Sequence, residues 1–173
     1  MEALVVYESL YGNTRKVAEA IAAGISSTDP GALVRVLRVD EVTPHDLSGG
    51  QLVVAGGPTH ALRMSTAQSR RNAPDVPAAG HAQGPGGSDM GIREWLGTMP
   101  DASNGARAAA FDTRLAFPPS GGAARAIAKG MRRHGYKIAA RPHGFVVRGA
   151  RGPLRDGEEQ AAREWGAALA REH

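Results

Sequence analysis

The sequence predicts a single α/β domain in which a doubly wound parallel sheet of five strands carries helices on both faces. Short, almost entirely apolar runs recur along the 173-residue chain, as is typical of parallel strands that are buried on both sides. Between these runs, apolar residues recur at helical spacing. Because strands that alternate with helices pair in parallel through right-handed crossovers, we expect one domain over residues 1–173.

The first strand and the first helix have the clearest patterns. Residues 3–7 read Ala-Leu-Val-Val-Tyr, which predicts a buried strand, and a polar loop follows over residues 8–14. Val17, Ile21 and Ile25 then fall on one side of a helix. The helix is expected to end near Ile25, before Pro30 and Gly31 break the chain.

Two further strands follow with a short connection. Residues 33–37 predict the second strand, and residues 43–50 have room for a short helical turn. Residues 52–55 predict the third strand, which the segment Gly56-Gly57-Pro58 is expected to end.

The segment after the third strand has a different composition. Residues 63–91 are rich in Ala, Gly, Pro, Ser and Arg, and they contain few large apolar residues. Such a segment has little apolar surface with which to offset the loss of conformational entropy on ordering. We therefore expect a loop that is mobile over residues 66–90, with its centre at 73–88 as the first site of proteolysis.

The carboxyl-terminal half returns to the alternating pattern. The pattern predicts a two-turn helix at residues 92–96 and a fourth strand at 106–111. A helix is then expected to begin at Ser120 and run through Met131. The fifth strand is expected at 136–139 and 144–148, with a break at Arg141-Pro142, and a last helix carries Trp165.

Composition excludes several classes of function. The chain has no cysteine, which rules out disulfides and thiolate chemistry and fits a cytoplasmic protein. No apolar run is long enough to span a membrane, and the amino terminus does not have the form of a secretory signal. The six histidines lack metal-ligand spacing, and no G-x-S-x-G motif is present. We therefore predict neither catalytic residues nor a metal site.

Positive charge is concentrated in one third of the chain. Residues 107–155 contain eleven basic side chains and a single acidic one, Asp112. Arg125, Lys129, Arg132 and Arg133 share one face of a predicted helix. This face is either an ordinary solvated surface or a docking site for an acidic redox partner. Nucleic-acid binding is a minor option, because no aromatic residues are interleaved with the basic ones.

The loop between the first strand and the first helix has the chemistry of an anion site. Backbone N–H groups and the positive end of a helix converge there, and Ser9, Tyr11 and Thr14 add hydroxyl groups. The loop contains no cationic residue and lacks the spacing of G-x-G-x-x-G or of the Walker loop. This pattern favours a single terminal phosphate held by neutral donors. The alternative is an ordinary helix cap from Asn13 or Thr14.

The segment Ser9-Leu10-Tyr11-Gly12-Asn13-Thr14 resembles the flavodoxin phosphate loop, S-x-T-G-N-T, with tyrosine at the third position. It is also similar to the S-x-Y-G loop of the flavodoxin-like quinone reductases. The resemblance continues at residues 53–60 and 110–114, which are similar to the second and third flavin-contacting loops. Residues 152–159 resemble a segment of the flavodoxin-domain proteins common in actinobacteria.

The resemblance implies a flavodoxin-like sheet of order 2-1-3-4-5 that binds FMN at the carboxyl ends of its strands. It assigns cofactor contacts to three groups of residues: Ser9, Leu10, Tyr11, Gly12, Asn13 and Thr14 at the phosphate, Pro58, Thr59, His60 and Ala61 on one side of the isoalloxazine, and Asp112, Thr113 and Arg114 on the other.

Two of these residues have alternative interpretations. His60 either stacks on or donates to the flavin, or it is a solvated loop histidine. Arg114 either stabilises the anionic reduced flavin or is an ordinary surface arginine. The chain also departs from flavodoxins in two respects. Its flavin loops contain neither Trp nor the usual Tyr stacker, and its isoelectric point is near 10.0 where flavodoxins are acidic.

The sequence therefore supports an FMN-binding redox protein, which is either an electron carrier or a small NAD(P)H-dependent quinone or flavin reductase. The electron carrier is favoured, and no dinucleotide-binding motif is present that would show direct oxidation of a nicotinamide nucleotide. The alternative is a flavodoxin-fold binding module that lacks tightly bound FMN and acts through its basic face. A redox partner protein is expected, and the choice between monomer and dimer stays open.

Overall fold

The computed structural model describes residues 1–48, 52–60, 63–71, 90–103, 105–116 and 122–172, with His60 described by its backbone alone. Its strands are β1 (Glu2–Tyr7), β2 (Leu33–Arg38), β3 (Leu52–His60), β4 (Arg63–Met64), β5 (Arg107–Leu115), β6 (Lys137–Ile138) and β7 (His143–Val147). Its helices are α1 (Asn13–Thr28), α2 (Pro44–Ser48), α3 (Ala67–Arg71), α4 (Ile92–Thr98), α5 (Ala123–Arg133) and α6 (Glu158–Arg171).

The sheet has the predicted parallel order. Its path runs β2-β1-β3-β5-β6, and β7 also pairs with β5. The predicted fourth strand is β5, while the predicted fifth strand is divided into β6 and β7, with the break between them at the Arg141-Pro142 step. Apart from β4, all strand pairings are parallel in the part of the chain that the structure describes. The prediction of a doubly wound α/β fold with order 2-1-3-4-5 is confirmed.

Two features of the sheet differ from the prediction. Strand β3 does not end at Ala55 but continues to His60, because Gly56 and Gly57 pair with Phe111 and Asp112 of β5. Beyond this pairing, β3 turns back into β4 as an antiparallel hairpin, which brings His60 opposite Arg63. The sheet therefore has seven described strands rather than five.

Alternating side chains of the central strands build two cores. Val5, Val54 and Phe111 face α1 and α6, whereas Val6 and Ala110 face the opposite layer with α4 and α5. This arrangement follows from the period of two in a strand, which sends successive apolar residues to opposite faces.

The region predicted to be a long loop contains regular structure at its start. Strand β4 and helix α3 occupy parts of residues 63–71, so the prediction of a loop is wrong for these elements. Apolar burial does not explain α3, because its one buried side chain is that of Arg70. The rest of the predicted mobile segment, residues 72–89, lies outside the described residues, so its mobility and its protease sensitivity stay predictions.

Helices α1 and α6 approach each other so closely that a methyl group does not fit between them. A Cβ added at Gly24 would lie 2.0 Å from the carbonyl oxygen of Arg163. We expect Gly24→Ala to lower the free energy of unfolding by about 1–3 kcal/mol, since overpacking outweighs the gain in helix propensity. Gly97→Ala is the control, because its Cβ would meet nothing within 4 Å. Urea denaturation that shows equal effects of the two substitutions would contradict this close packing.

Candidate functional site

Three of the predicted loops meet at the carboxyl edge of the sheet. Tyr7 at the end of β1 pairs with Gly56 of β3, and Pro58 further along β3 pairs with Thr113 of β5. The N–H of Glu8 donates to the carbonyl of Gly56 over 3.0 Å. Strand β1 lies between β2 and β3, so the order of the strands reverses at this point, and ligands of open α/β sheets bind at such switch points.

The loop over residues 9–14 turns sharply into α1. Gly12 has a φ of 83°, a left-handed conformation that glycine adopts without strain, and the space around it is open. Its N–H donates to the Ser9 hydroxyl over 3.1 Å, and its carbonyl accepts from the N–H of Lys16 over 3.1 Å. Gly12 is therefore the N-cap residue of α1, in place of Asn13 or Thr14.

The amino terminus of α1 has no side-chain cap and no acidic residue in its first turn. Within the described residues, the structure gives the amides of Asn13 and Thr14 no hydrogen-bond acceptor. The alternative interpretation of this segment, an ordinary cap from either side chain, is therefore wrong. The positive end of a 16-residue helix and its free N–H groups are left for an external anion.

At the other helices next to this edge, carboxylates of the protein lie at the positively charged amino termini. The N–H of Ile92 in α4 donates to the Glu8 carboxylate over 2.8 Å. In α5, the N–H of Ala124 donates to the Asp112 carboxylate over 2.9 Å. Helix α6 begins with Glu158 and Glu159. Of these four helices, α1 is the one whose amino terminus has no acidic partner among the described residues.

Two side chains of the loop anchor it to the rest of the protein. The buried hydroxyl of Thr14 lies 2.8 Å from that of Thr113 in β5. A threonine hydroxyl has one donor hydrogen and two acceptor sites, so Thr14 can still donate to an anion when Thr113 donates to it. The Asn13 amide donates to the carbonyl of Arg151 over 3.1 Å and packs on Gly152, where a Cβ would lie only 2.5 Å away.

The second predicted loop is the end of β3 and its turn into β4. Pro58 and Thr59 are partly buried, and the Thr59 hydroxyl accepts from the N–H of Ala123 over 2.9 Å. The backbone of His60 is at the same edge. The His60 side chain and Ala61 lie outside the described residues, so their cofactor contacts and the two interpretations of His60 stay predictions.

The third group of predicted residues is part of strand β5 rather than of a loop. Asp112 is completely buried, and its carboxylate accepts from Ala124 and from the Thr59 hydroxyl. Burial raises the pKa of this carboxyl, while the Ala124 hydrogen bond and the nearby Arg114 oppose that rise. Because the buried carboxylate caps α5, the side chain of Asp112 is not free to contact a ligand.

Arg114 lies at the rim of the site, where its guanidinium is held in place by two contacts. Its Nε is 3.3 Å from Asp112 Oδ1, and its side chain is about one third exposed, at 34%. The guanidinium packs on Gly144 of β7, where a Cβ would come within 2.2 Å of three of its atoms. The ion pair and this packing orient a partly exposed cation beside the carboxyl edge of β5.

Sequence reasoning missed a buried ionic cluster directly before the anion loop. Glu8 is 4% exposed, and its carboxylate accepts from the Ser65 hydroxyl and from the N–H of Ile92. Arg70 lies 4.0 Å from this carboxylate and donates to Ser65 over 3.1 Å and to Glu94 over 3.0 Å. The alternation of side chains in β1 indicates that Glu8 is buried, because residue 8 follows Leu4 and Val6 on the side of the sheet that packs against α4 and α5. Nothing in the sequence pointed to Arg70.

The described part of the chain has neither a membrane-spanning helix nor a metal-binding cluster. Its helices include none that is both long and apolar enough to cross a membrane. Its His, Asp and Glu side chains form no cluster of three that could hold a metal ion.

The parallel sheet and its strand order define a flavodoxin-like fold, with the uncapped amino terminus of α1 at its switch point. The model of the flavodoxin family matches residues 5–69. A flavodoxin of Aquifex aeolicus (strain VF5) is 39% identical over 67 residues, which are 39% of this chain and 36% of that protein. The aligned part thus spans about one third of this curated relative.

Solved structures match over almost the full length. A flavodoxin from the domain Archaea is 25% identical, with a TM-score of 0.69 over 99% of this chain and 98% of its own. Flavodoxin 2 from Bacillus cereus is 14% identical, with a TM-score of 0.67 over 100% of both chains, and shows the same fold. The chain is thus similar to flavodoxins in sequence over residues 5–69 and in fold over almost its full length.

The donor set suits the phosphate of FMN. The described residues 9–14 offer backbone N–H groups and hydroxyls without a cation, and Gly12 keeps the approach to the helix terminus open. A phosphate carries the negative charge that α1 lacks in its first turn.

Proposed function

We propose that the protein binds FMN at the carboxyl edge of β1, β3 and β5 and carries electrons between partner proteins. The observation that supports this most strongly is the uncapped amino terminus of α1 at the switch point of the sheet. When bound, FMN supplies the redox chemistry, and the protein supplies binding, orientation and electrostatics.

In this proposal the phosphate is held by neutral donors. The amides of Asn13 and Thr14 and the hydroxyls of Ser9 and Thr14 would donate to it, while Gly12, whose N–H is bonded to Ser9, shapes the turn, and Leu10 and Tyr11 complete the loop. Thr113 fixes the Thr14 hydroxyl from behind over 2.8 Å. Hydrogen bonds to an ionised acceptor are stronger than neutral ones, which allows a loop without a cation to bind a dianion.

The isoalloxazine would lie between the end of β3 and the end of β5. Pro58, Thr59, His60 and Ala61 would flank it on one side. On the other side, Thr113 and the backbone of Asp112 would border it. Arg114 would stabilise negative charge on the reduced ring, because its guanidinium is oriented by Asp112 and partly shielded from water.

A small NAD(P)H-dependent quinone or flavin reductase is an alternative within the same class of FMN-binding redox proteins. We favour the electron carrier because the proteins that the chain is similar to are flavodoxins. The basic helix face instead favours a second function, that of a flavodoxin-fold binding module without tightly bound FMN. The two functions differ in a single property, which is whether the protein retains the flavin.

A visible spectrum of the purified protein tests the proposal. We expect flavin absorbance, or its appearance as one equivalent of FMN is taken up by the colourless protein. NAD(P)H oxidation with a quinone acceptor is then measured, and little turnover is expected of a carrier. A colourless protein that takes up no FMN in calorimetry would contradict FMN binding and favour the binding module.

A further inference from the structure

Helix α5 presents a row of cations on its outward side. Arg125, Lys129, Arg132 and Arg133 are all exposed, while Ile127 and Met131 on the other side of the helix are buried in the core. We call these four exposed residues the basic face. At about 1.5 Å per residue, the 11-residue helix extends this face over roughly 16 Å.

No acid in the described part of the chain neutralises the basic face. Among the ion pairs of those residues, none involves any of its four cations. Arginines elsewhere are paired with acids, as in Arg15–Glu19, Arg35–Asp46, Arg38–Asp40, Arg70–Glu94, Arg148–Asp156 and Arg155–Glu158. The one acid in residues 107–155 is Asp112, which is buried and paired with Arg114. The charge of the basic face is therefore available to a partner.

The basic face begins at the rim of the candidate site. The N–H of Ala123 donates to Thr59 at the end of β3, and that of Ala124 donates to Asp112 in β5. Arg125 is the next residue, in the first turn of α5. A protein that docks on the basic face therefore comes to lie beside the edge where the flavin ring is proposed to sit.

We propose that the basic face is the docking surface for an acidic redox protein, an inference that rests on the proposed electron-carrier function. Its size suits a transient encounter, since weak redox complexes have small interfaces. Opposite charges accelerate such encounters and leave the complex easy to dissociate. Oligonucleotides are disfavoured as partners because base stacking requires aromatic residues, and the basic helix carries none.

The test uses the flavin-loaded protein and a plant-type ferredoxin as the acidic iron–sulfur probe. We expect stopped-flow flavin reduction by reduced ferredoxin to slow at least tenfold between low salt and about 1 M salt, where the Debye length is about 3 Å. For cytochrome c, a basic haem protein that takes electrons from the reduced flavin, the rate is expected to rise rather than fall with salt, because screening removes the repulsion between like charges.

Charge-reversal variants test whether the salt dependence of the electron-transfer rate arises from the basic face. The triple variant Arg125→Glu, Lys129→Glu, Arg132→Glu is expected to slow the low-salt reaction with ferredoxin by about tenfold or more, with unchanged FMN affinity. The matched control is Lys137→Glu, Arg163→Glu, Arg171→Glu. It makes the same change in net charge at exposed positions of β6 and α6, away from the carboxyl edge of the sheet. Its rate is expected to stay within about threefold of the wild type.

Several outcomes would overturn the inference. They are a rate that is indifferent to salt, equal effects of the two triple variants, or tighter binding of a DNA oligonucleotide that displaces ferredoxin. Calorimetric binding of oxidised ferredoxin is measured as well, since it needs no flavin. Loss of this binding in the α5 variant alone would support the docking surface even if FMN binding failed, so the two failures can be told apart.

Discussion

Replacing Glu8 by alanine is expected to lower the free energy of unfolding by about 3 kcal/mol. Breaking a buried ion pair from one side costs about 3–5 kcal/mol, because the remaining charge is left without compensation. The lower end applies here because Arg70 keeps Glu94 as a partner at 3.0 Å. The substitution also leaves the N–H of Ile92 without its acceptor at the start of α4.

Two further variants separate charge from shape. Glu8→Gln keeps most of the volume and an acceptor for Ile92, so it is expected to cost less than Glu8→Ala. Glu19→Ala removes an exposed carboxylate that forms an ion pair with Arg15 four residues earlier in α1, and it should cost about 0.5 kcal/mol or less. Urea denaturation at neutral pH measures all three. A Glu8→Ala variant as stable as Glu19→Ala would show that the cluster contributes little to stability.

The Glu8 cluster also links stability to the candidate site. Glu8 directly precedes Ser9 of the anion loop, while Ser65 and Arg70 follow the β3–β4 hairpin. The same carboxylate fixes the start of α4. Three separate chain segments are therefore held in register beneath the edge where the loops meet.

The order of the parallel strands could be predicted because it depends on local apolar runs and general rules of connection. Leu4, Val53 and Ala109 are buried by strand neighbours on both sides, and such strands show as continuous apolar segments. The division of the fifth strand was visible as well, because Pro142 lacks the N–H that a ladder needs.

The extension of β3 could not be predicted from the same rules. Glycine and proline at residues 56–58 normally end a strand, but here the pairing partners Phe111–Thr113 continue the ladder. The space above Gly56 is filled by the Phe111 ring, which a Cβ would approach within 2.4 Å. This is a tertiary contact between segments more than fifty residues apart, and no local pattern encodes it.

The candidate site likewise has parts that local sequence predicts and parts that depend on tertiary contacts. The anion loop was predictable because strand, turn and helix are adjacent in sequence. The absence of a cap on α1, the inward turn of Asp112 and the pairing of Thr14 with Thr113 depend on the packing of β5 against other elements. Sequence alone therefore located the residues of the third group but not the directions of their side chains.

Removing the two hydroxyls of the anion loop is expected to weaken FMN binding by about 3 kcal/mol or more, which is about 100-fold or more in Kd. Hydrogen bonds to charged groups contribute about 1.5–3 kcal/mol each, and Ser9→Ala with Thr14→Ala removes two such donors. The matched control is Ser27→Ala with Thr28→Ala. It removes the same two side-chain types at the other end of α1, where both hydroxyls bond to the carbonyl of Gly24.

Riboflavin separates the phosphate contribution from that of the ring, because it lacks the phosphate. Calorimetry should show wild-type protein binding riboflavin far more weakly than FMN, since the α1 terminus then loses its anion. The Ser9 and Thr14 double variant should bring the two affinities closer together by weakening FMN while leaving riboflavin nearly unchanged, whereas the Ser27 and Thr28 control should preserve the wild-type ratio. Equal wild-type affinities for FMN and riboflavin would contradict a phosphate site at residues 9–14, whatever the visible spectrum shows.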